Sequence, residues 1–187
     1  MRIISGACRG RKLVPIQGLD IRPTSDRIRE TIFNILGPRI RHARVLDLFA
    51  GTGALGLEAL SRGASHAVFV EISETACHTI RQNIDRCRFA AQAALIRQDL
   101  FAFWPHPALA STRFDLIFMD PPYGRNYVVK TLDLPDFSDL LSENGIIVAE
   151  HDSRETLPPS LGGLDIFREK KYSRTTVSFL TRLQDDV

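Results

Sequence analysis

Val45-Leu46-Asp47-Leu48-Phe49-Ala50-Gly51-Thr52-Gly53-Ala54-Leu55-Gly56 is the stretch that decides the fold. Its apolar opening reads as a buried strand, its glycines as a turn, and Ala54–Arg62 as a helix. Glycine suits such a turn because the backbone must adopt conformations that a Cβ opposes and must approach a ligand closely. The helix that follows presents free N–H groups. A nucleotide-like ligand is therefore expected over Gly51 and Gly53. The G-x-G-x-x-G spacing also satisfies the dinucleotide fingerprint, with Glu71 twenty residues after Gly51, so two cofactor classes remain open on this stretch alone.

Outward from this turn, strand and helix signals alternate, the mark of a parallel sheet flanked by helices. The strands read as Val45–Phe49, Ala67–Glu71, Ala94–Gln98, Phe114–Met119 and Ile146–Glu150. Between them lie helical stretches at Ser73–Arg86, opened by a Ser cap, and near Val128–Leu141, interrupted by Pro135. Asp165–Tyr172 and Thr175–Leu183 are separated only by Ser173-Arg174 and read as an antiparallel hairpin. Upstream, Pro23-Thr24-Ser25-Asp26 supplies capping residues before Ile28, Ile32, Phe33, Ile35 and Leu36, a helical apolar stripe that Gly37-Pro38 ends. Residues 2–14 read as a small basic hairpin around Gly6 and Gly10. Pro105–Arg113 reads as a flexible loop.

With 187 residues, 44% hydrophobic and 25% charged, the chain has the composition of one globular domain and not of a disordered or membrane-embedded protein. No apolar run approaches the roughly 20 residues needed to cross a bilayer, and no signal peptide opens the chain, so a cytoplasmic protein without membrane attachment is expected. Cys8, Cys77 and Cys87 form no C-x-x-C pair and the five histidines are scattered; no metal is expected. The formal charge of +2 conceals an asymmetry. Residues 1–44 carry ten cations against three anions, a net of +7, and the rest carries 14 against 19, a net of −5. Of the 24 cations, 20 are arginines, whose planar fork suits phosphates and guanine edges. A nucleic-acid partner fits this pattern, as does a merely solvated basic face. Arg9, Arg11 and Lys12, beside the first turn, are the candidate RNA contacts.

Strand ends supply the remaining candidates. Glu71 can accept from both hydroxyls of a ribose, or can be a charge at the start of the next helix. Asp99 can accept from the amine of an adenine, or can cap a helix. Asp120-Pro121-Pro122-Tyr123 follows the hydrophobic strand Phe114–Met119 and decides between the cofactors. Two prolines remove two donors and stiffen the turn, so the Asp120 carboxylate and the Pro121 carbonyl make a fixed pair of acceptors. Such a pair grips an –NH2 group, and the Tyr123 ring can stack on a planar base. A dehydrogenase has no use for it.

Asp47-x-Phe49-Ala50-Gly51-Thr52-Gly53, Glu71, Asp99 and Asp120-Pro121-Pro122-Tyr123 together resemble an S-adenosylmethionine-dependent methyltransferase acting on a base amine. More narrowly, Arg9-Gly10-Arg11-Lys12-Leu13, Arg22-Pro23-Thr24, Arg29-Glu30-Thr31-Ile32-Phe33-Asn34 and the run from Phe49 to Ala64 resemble the bacterial RsmD family, which methylates the exocyclic amine of a guanine in small-subunit ribosomal RNA. The resemblance implies an α/β, Rossmann-like class I methyltransferase fold: a mostly parallel seven-stranded sheet with a C-terminal antiparallel hairpin and a small N-terminal hairpin and helix. Residues 1–44 would be the basic extension and 45–187 the methyltransferase domain, within one domain. Asp47, Phe49, Gly51, Gly53, Glu71, Asp99 and Leu100 would bind S-adenosylmethionine, with Asp47 at its methionine end. Asp120, Pro121 and Tyr123 would receive guanine N2 of 16S rRNA, within an assembling small subunit. The alternatives are an amine methyltransferase of adenine N6 in DNA or RNA, an NAD-binding oxidoreductase, and an RNA-binding or assembly factor on a catalytically dead scaffold, against which the intact Asp120–Tyr123 turn argues.

Overall fold

The structure, a computed structural model, describes residues 1–16, 26–104 and 106–183. They fall into two compact units, Met1–Asp99 and Leu100–Val187. In the first, β1 (Arg44–Leu48), β2 (His66–Glu71) and β3 (Ala93–Arg97) pair in parallel in the order β3-β2-β1. Strands β1 and β2 are buried along nearly their whole length, which is why their sequences are continuously apolar instead of alternating. Helix α1 (Asp26–Leu36) buries Ile28, Ile32, Phe33 and Leu36 of the expected stripe, leaves Ile35 half-buried, and ends in a tight 3-10 turn over Gly37–Ile40. Its expected caps Pro23, Thr24 and Ser25, like Arg22, lie outside the described residues. Helices α2 (Ala54–Ser61) and α3 (Glu74–Cys87) are the two helices that follow β1 and β2, and the Ser73 hydroxyl accepts the Ala76 N–H to open α3.

The expected basic hairpin forms only one ladder bridge, Arg2 to Lys12. The N–H groups of Leu13, Ile3 and Gly10 also donate across the arms, to the carbonyls of Met1 at 3.2 Å, Arg11 at 3.0 Å and Ile3 at 2.8 Å, while the donors nearer the turn reach α2. The N–H groups of Ile4 and Ser5 donate to the Glu58 carboxylate at 2.7 and 3.0 Å, that of Ala7 to the Ser61 carbonyl at 2.7 Å, and that of Cys8 to Ser61 Oγ at 2.9 Å. A Cβ on Gly6 would fall 1.7 Å from the Ser61 carbonyl oxygen, so only glycine lets the segment lie this close to α2.

In the second unit, α4 (Pro107–Ala110), β4 (Phe114–Met119), α5 (Tyr127–Leu132), β5 (Leu141–Asp152), β6 (Ser160–Leu161), β7 (Leu164–Lys171) and β8 (Thr175–Arg182) follow one another. The strand order is β4-β5-β8-β7-β6. Strands β4 and β5 are parallel, and β8 returns antiparallel to β5 and pairs with β7 as the expected hairpin. The described strands number eight and not seven because β6, two residues long, adds to the edge of β7. Helix α5 stops at Leu132, and after Pro135 a separate 3-10 turn covers Phe137–Leu140; proline lacks the donor and clashes with a continuing helix. Within the expected loop, His106 Nδ1 accepts the Ala108 N–H and caps α4.

Candidate active site

The glycine turn leaves the C-terminal end of β1 through three residues with left-handed backbone. Phe49 has φ +58°, Gly51 +55° and Gly53 +76°. For a phenylalanine this conformation costs energy. Above Gly51 there is room, since a Cβ there would meet nothing nearer than the Phe49 carbonyl oxygen at 3.9 Å. Gly56 has another task. A Cβ on it would lie 2.4 Å from Phe69 Cε1, so this glycine lets α2 pack onto β2.

Asp47 is 2% exposed, and its Oδ2 accepts the Gly56 N–H at 2.8 Å. A carboxylate there complements the positive end of α2 and ties the helix start to β1. Glu71, at the end of β2, braces the same turn: Oε2 accepts the Gly51 N–H and Oε1 the Ser73 N–H, both at 2.8 Å. Each carboxylate oxygen has a second acceptor position. On the other side of the turn, Asn83 of α3 donates to the Thr52 carbonyl at 3.0 Å. This amide is fully buried and also pairs with Val14, accepting its N–H at 2.7 Å and donating to its carbonyl at 3.2 Å. Because β2 and β3 run in register to Glu71 and Arg97, and the Gln98 N–H donates to the Glu71 carbonyl, half-buried Asp99 leaves the same sheet end as Glu71. The first unit thus gathers Asp47, Phe49, Gly51, Gly53, Glu71 and Asp99. Leu100, buried, begins the second unit.

In the second unit, Asp120 and Pro121 follow β4, Asp120 half-buried and Pro121 buried. Tyr123 is 39% exposed, yet its hydroxyl is fixed: it donates to Glu150 Oε1 at 2.9 Å and lies 2.9 Å from Thr175 Oγ1. Both partners are buried, on the paired strands β5 and β8. Partial burial, then the Glu150 carboxylate, push the Tyr123 phenol well above its ordinary pKa. It stays neutral at physiological pH, a held aromatic surface and not a base. Beyond it, the Gly124 N–H donates to Glu155 Oε1 at 2.8 Å.

Of the candidate RNA contacts, Arg9 and Lys12 are exposed, and the exposed Arg11 directs its guanidinium to the Arg86 carbonyl in the last turn of α3. The three cysteines are buried thiols. Cys8 Sγ donates to the Cys87 carbonyl at 3.1 Å, and burial, then the neighbouring Cys8, push the Cys87 thiol up to about 12. Among the described residues no group of three or more His, Cys, Asp or Glu is placed to hold a metal ion, and no helix is long and apolar enough to cross a membrane.

Sequence reading missed the polar anchors in each unit. Asn83 falls on the apolar stripe of α3, beside Ile80 and Ile84, and a polar residue within an apolar stripe was the available signal. Glu58 lies likewise inside the buried α2. Nothing local announces that Glu150 and Thr175 meet Tyr123, 27 and 52 residues away.

The family model described as "Conserved hypothetical protein 95" matches residues 1–181. The Bacillus subtilis protein YlbH is 41% identical over 178 residues, covering 95% of this chain and 97% of its own. The Ribosomal RNA small subunit methyltransferase D of Escherichia coli K12 is 36% identical over 170 residues, covering 91% of this chain and 84% of its own. Among solved structures, the yhhF protein of Escherichia coli superposes with TM-score 0.82 at 34% identity over 97% of both chains. The fold is that of class I methyltransferases. With a family model spanning nearly the whole chain and relatives this similar along it, the chain belongs to the RsmD family of methyltransferases.

Proposed function

We propose that the chain transfers a methyl group from S-adenosylmethionine to the exocyclic N2 amine of a guanine in 16S rRNA, within an assembling small ribosomal subunit in the cytoplasm. The observation that carries this reading is the Asp120–Tyr123 turn: two prolines fix its acceptors, and Glu150 and Thr175 hold its neutral tyrosine. The relatives named as small-subunit ribosomal RNA methyltransferases support the substrate.

The first unit fits the methyl donor. Gly51 leaves space where a side chain would stand, and the second lone pairs of the Glu71 oxygens suit ribose hydroxyls. Asp99 and Leu100 would meet the adenine, while Asp47 acts at the methionine end through the helix start it holds. S-adenosylmethionine supplies a methyl already activated on its sulfonium, so no covalent enzyme intermediate is needed. On the acceptor side, the Asp120 carboxylate and the Pro121 carbonyl accept the amine N–H groups. That draws the nitrogen lone pair out of conjugation with the ring and makes the nitrogen a better nucleophile. Tyr123 stacks on the base and sets its plane. The Asp120 carboxylate would take the surplus amine proton late in the transfer or after it, once the sulfur–methyl bond has broken in favour of the nitrogen–methyl bond and S-adenosylhomocysteine is left.

The test is transfer of radiolabelled methyl to unmethylated 16S rRNA, naked and assembled with ribosomal proteins, followed by digestion to nucleosides. Label in N2-methylguanosine, lost in Asp120→Ala with S-adenosylhomocysteine affinity retained, is the expected result. Label in N6-methyladenosine, or full transfer by Asp120→Ala, overturns the reading.

A further inference from the structure

Within the second unit, two stretches that flank the acceptor turn in sequence carry aromatic side chains that the proposed transfer does not use. Phe103 is 70% exposed and Phe101 38%, as is Phe167 of β7 at 51%, whereas Phe114, Phe118, Phe137 and Phe179 of the same unit are buried. The Phe101 ring stacks on Tyr127, centroids 5.2 Å apart and planes 22° from parallel. Arg125 Cζ lies 5.8 Å and Lys130 Nζ 5.6 Å from the centroid of the Tyr127 ring, and Arg125 also donates to the Tyr127 hydroxyl at 3.1 Å. Both cations are exposed. Phe101, Tyr127, Arg125 and Lys130 thus form a ledge of aromatic rings and cations, and the exposed Phe103 ring follows Phe101 by two residues in sequence.

Water penalises an exposed phenylalanine ring, so a ring kept there points to a partner that covers it. Unstacked bases supply flat π faces for the rings, and their phosphates supply anions for Arg125 and Lys130; a duplex hides its base faces and offers only the anions. Tyr123 stands two residues before Arg125 and four before Tyr127, so nucleotides next to the base held by Tyr123 are the natural occupants. We propose that Phe101, Phe103 and Tyr127, with Arg125 and Lys130, form a stacking ledge for single-stranded RNA flanking the target base. The inference rests on the reading of Asp120–Tyr123 as the seat of that base. It would confine the substrate to a looped or unpaired stretch of rRNA.

The test uses the full chain and two labelled probes, a short single-stranded oligouridylate and an RNA duplex, in equilibrium binding across a salt series. Phe103→Leu keeps the apolar bulk and loses the π face. It should weaken single-strand binding roughly 5- to 150-fold, the range of one lost base stack, and leave duplex binding alone, with Phe103→Trp keeping the parent affinity. Arg125→Ala combined with Lys130→Ala should flatten the salt slope by about 0.7 per lost phosphate contact. S-adenosylhomocysteine affinity should not move in any variant. Unchanged single-strand affinity in Phe103→Leu, an equal loss on duplex, or a loss confined to S-adenosylhomocysteine overturns the ledge. Because binding is read without turnover, a parent protein that fails to methylate rRNA while Phe103→Leu still loses oligouridylate sinks the proposed reaction and not the ledge.

Discussion

Substituting Gly56 by alanine sets two forces against each other. Helix propensity favours alanine over glycine by about 1 kcal/mol, and position 56 lies in the first turn of α2, so propensity alone makes Gly56→Ala stabilising. The packing argues the reverse. The new Cβ would stand 2.4 Å from Phe69 Cε1, 2.8 Å from Cζ and 3.1 Å from Asp47 Oδ2, where carbon pairs settle at about 3.5–4.0 Å. Phe69 is fully buried on the central strand of β3-β2-β1, so its ring cannot swing away and α2 must lift. Such overpacking costs about 1–3 kcal/mol. Lifting the helix also stretches the Gly56–Asp47 hydrogen bond, a further loss of about 1 kcal/mol. After the propensity gain, the net destabilisation is about 1–3 kcal/mol, and a chain of this length should melt about 2–12 °C lower. The assay is thermal unfolding with and without S-adenosylhomocysteine, whose stabilising effect should shrink because the turn moves with the helix. Adding Phe69→Leu, which removes the clashing ring atoms, should make the double variant more stable than the two single losses predict. Gly51→Ala is the control: with no atom nearer than 3.9 Å, it should show only the cost of its positive φ, about 1–2 kcal/mol, and no coupling to Phe69. A Gly56→Ala chain that melts at or above the parent, or shows no coupling to Phe69→Leu, refutes the packing argument.

Three further outcomes can be checked. Glu71→Gln turns one oxygen that accepts a backbone N–H into a donor, so S-adenosylhomocysteine should bind about 1–3 kcal/mol more weakly by calorimetry and the ligand-free chain should also melt lower. Tyr123→Phe keeps the ring and loses the hydroxyl held by Glu150 and Thr175, for a stability loss of about 1–2 kcal/mol in urea unfolding; because the phenol pKa is raised on folding, the parent's advantage should be complete below pH about 10 and fade as the pH climbs through the raised value. Arg9→Ala with Lys12→Ala should flatten the salt dependence of rRNA binding by about 0.7 per lost contact at unchanged melting temperature, whereas Arg11→Ala should lower the melting temperature as well, since its guanidinium also holds the end of α3.

Strands covered on both faces announced themselves as continuous apolar runs, and for Phe114–Met119 the expected ends match the structure to the residue. Ser73 is legible as a cap because cap and capped N–H are three residues apart. Other features depend on partners far along the chain. The segment around Gly6 and Gly10 pairs its two arms as its residues suggest, but the N–H groups of Ile4, Ser5, Ala7 and Cys8 donate to Glu58 and Ser61, 53 to 54 residues later, and no local pattern encodes such partners. Glu71 was legible as a strand-end acid; that both its oxygens brace the turn was not, since this requires knowing how Gly51 and Ser73 present their N–H groups. The left-handed Phe49 is likewise set by its surroundings, because nothing in a phenylalanine favours that conformation.

The docking of the first residues onto α2 and α3 bears on the order in which the chain acquires its structure. Ile4 must wait for Glu58, Val14 for Asn83, and Arg11 for Arg86, which is 75 residues further on. At a synthesis rate of about 5–20 residues per second, Arg86 follows Arg11 by about 4–15 s. During translation the most cationic stretch of the chain therefore leaves the ribosome early and is secured late, after the helices that receive it have formed. A variant that weakens Glu58 or Asn83 would lengthen that exposed interval, and would show itself as lower soluble yield during synthesis as well as a lower melting temperature.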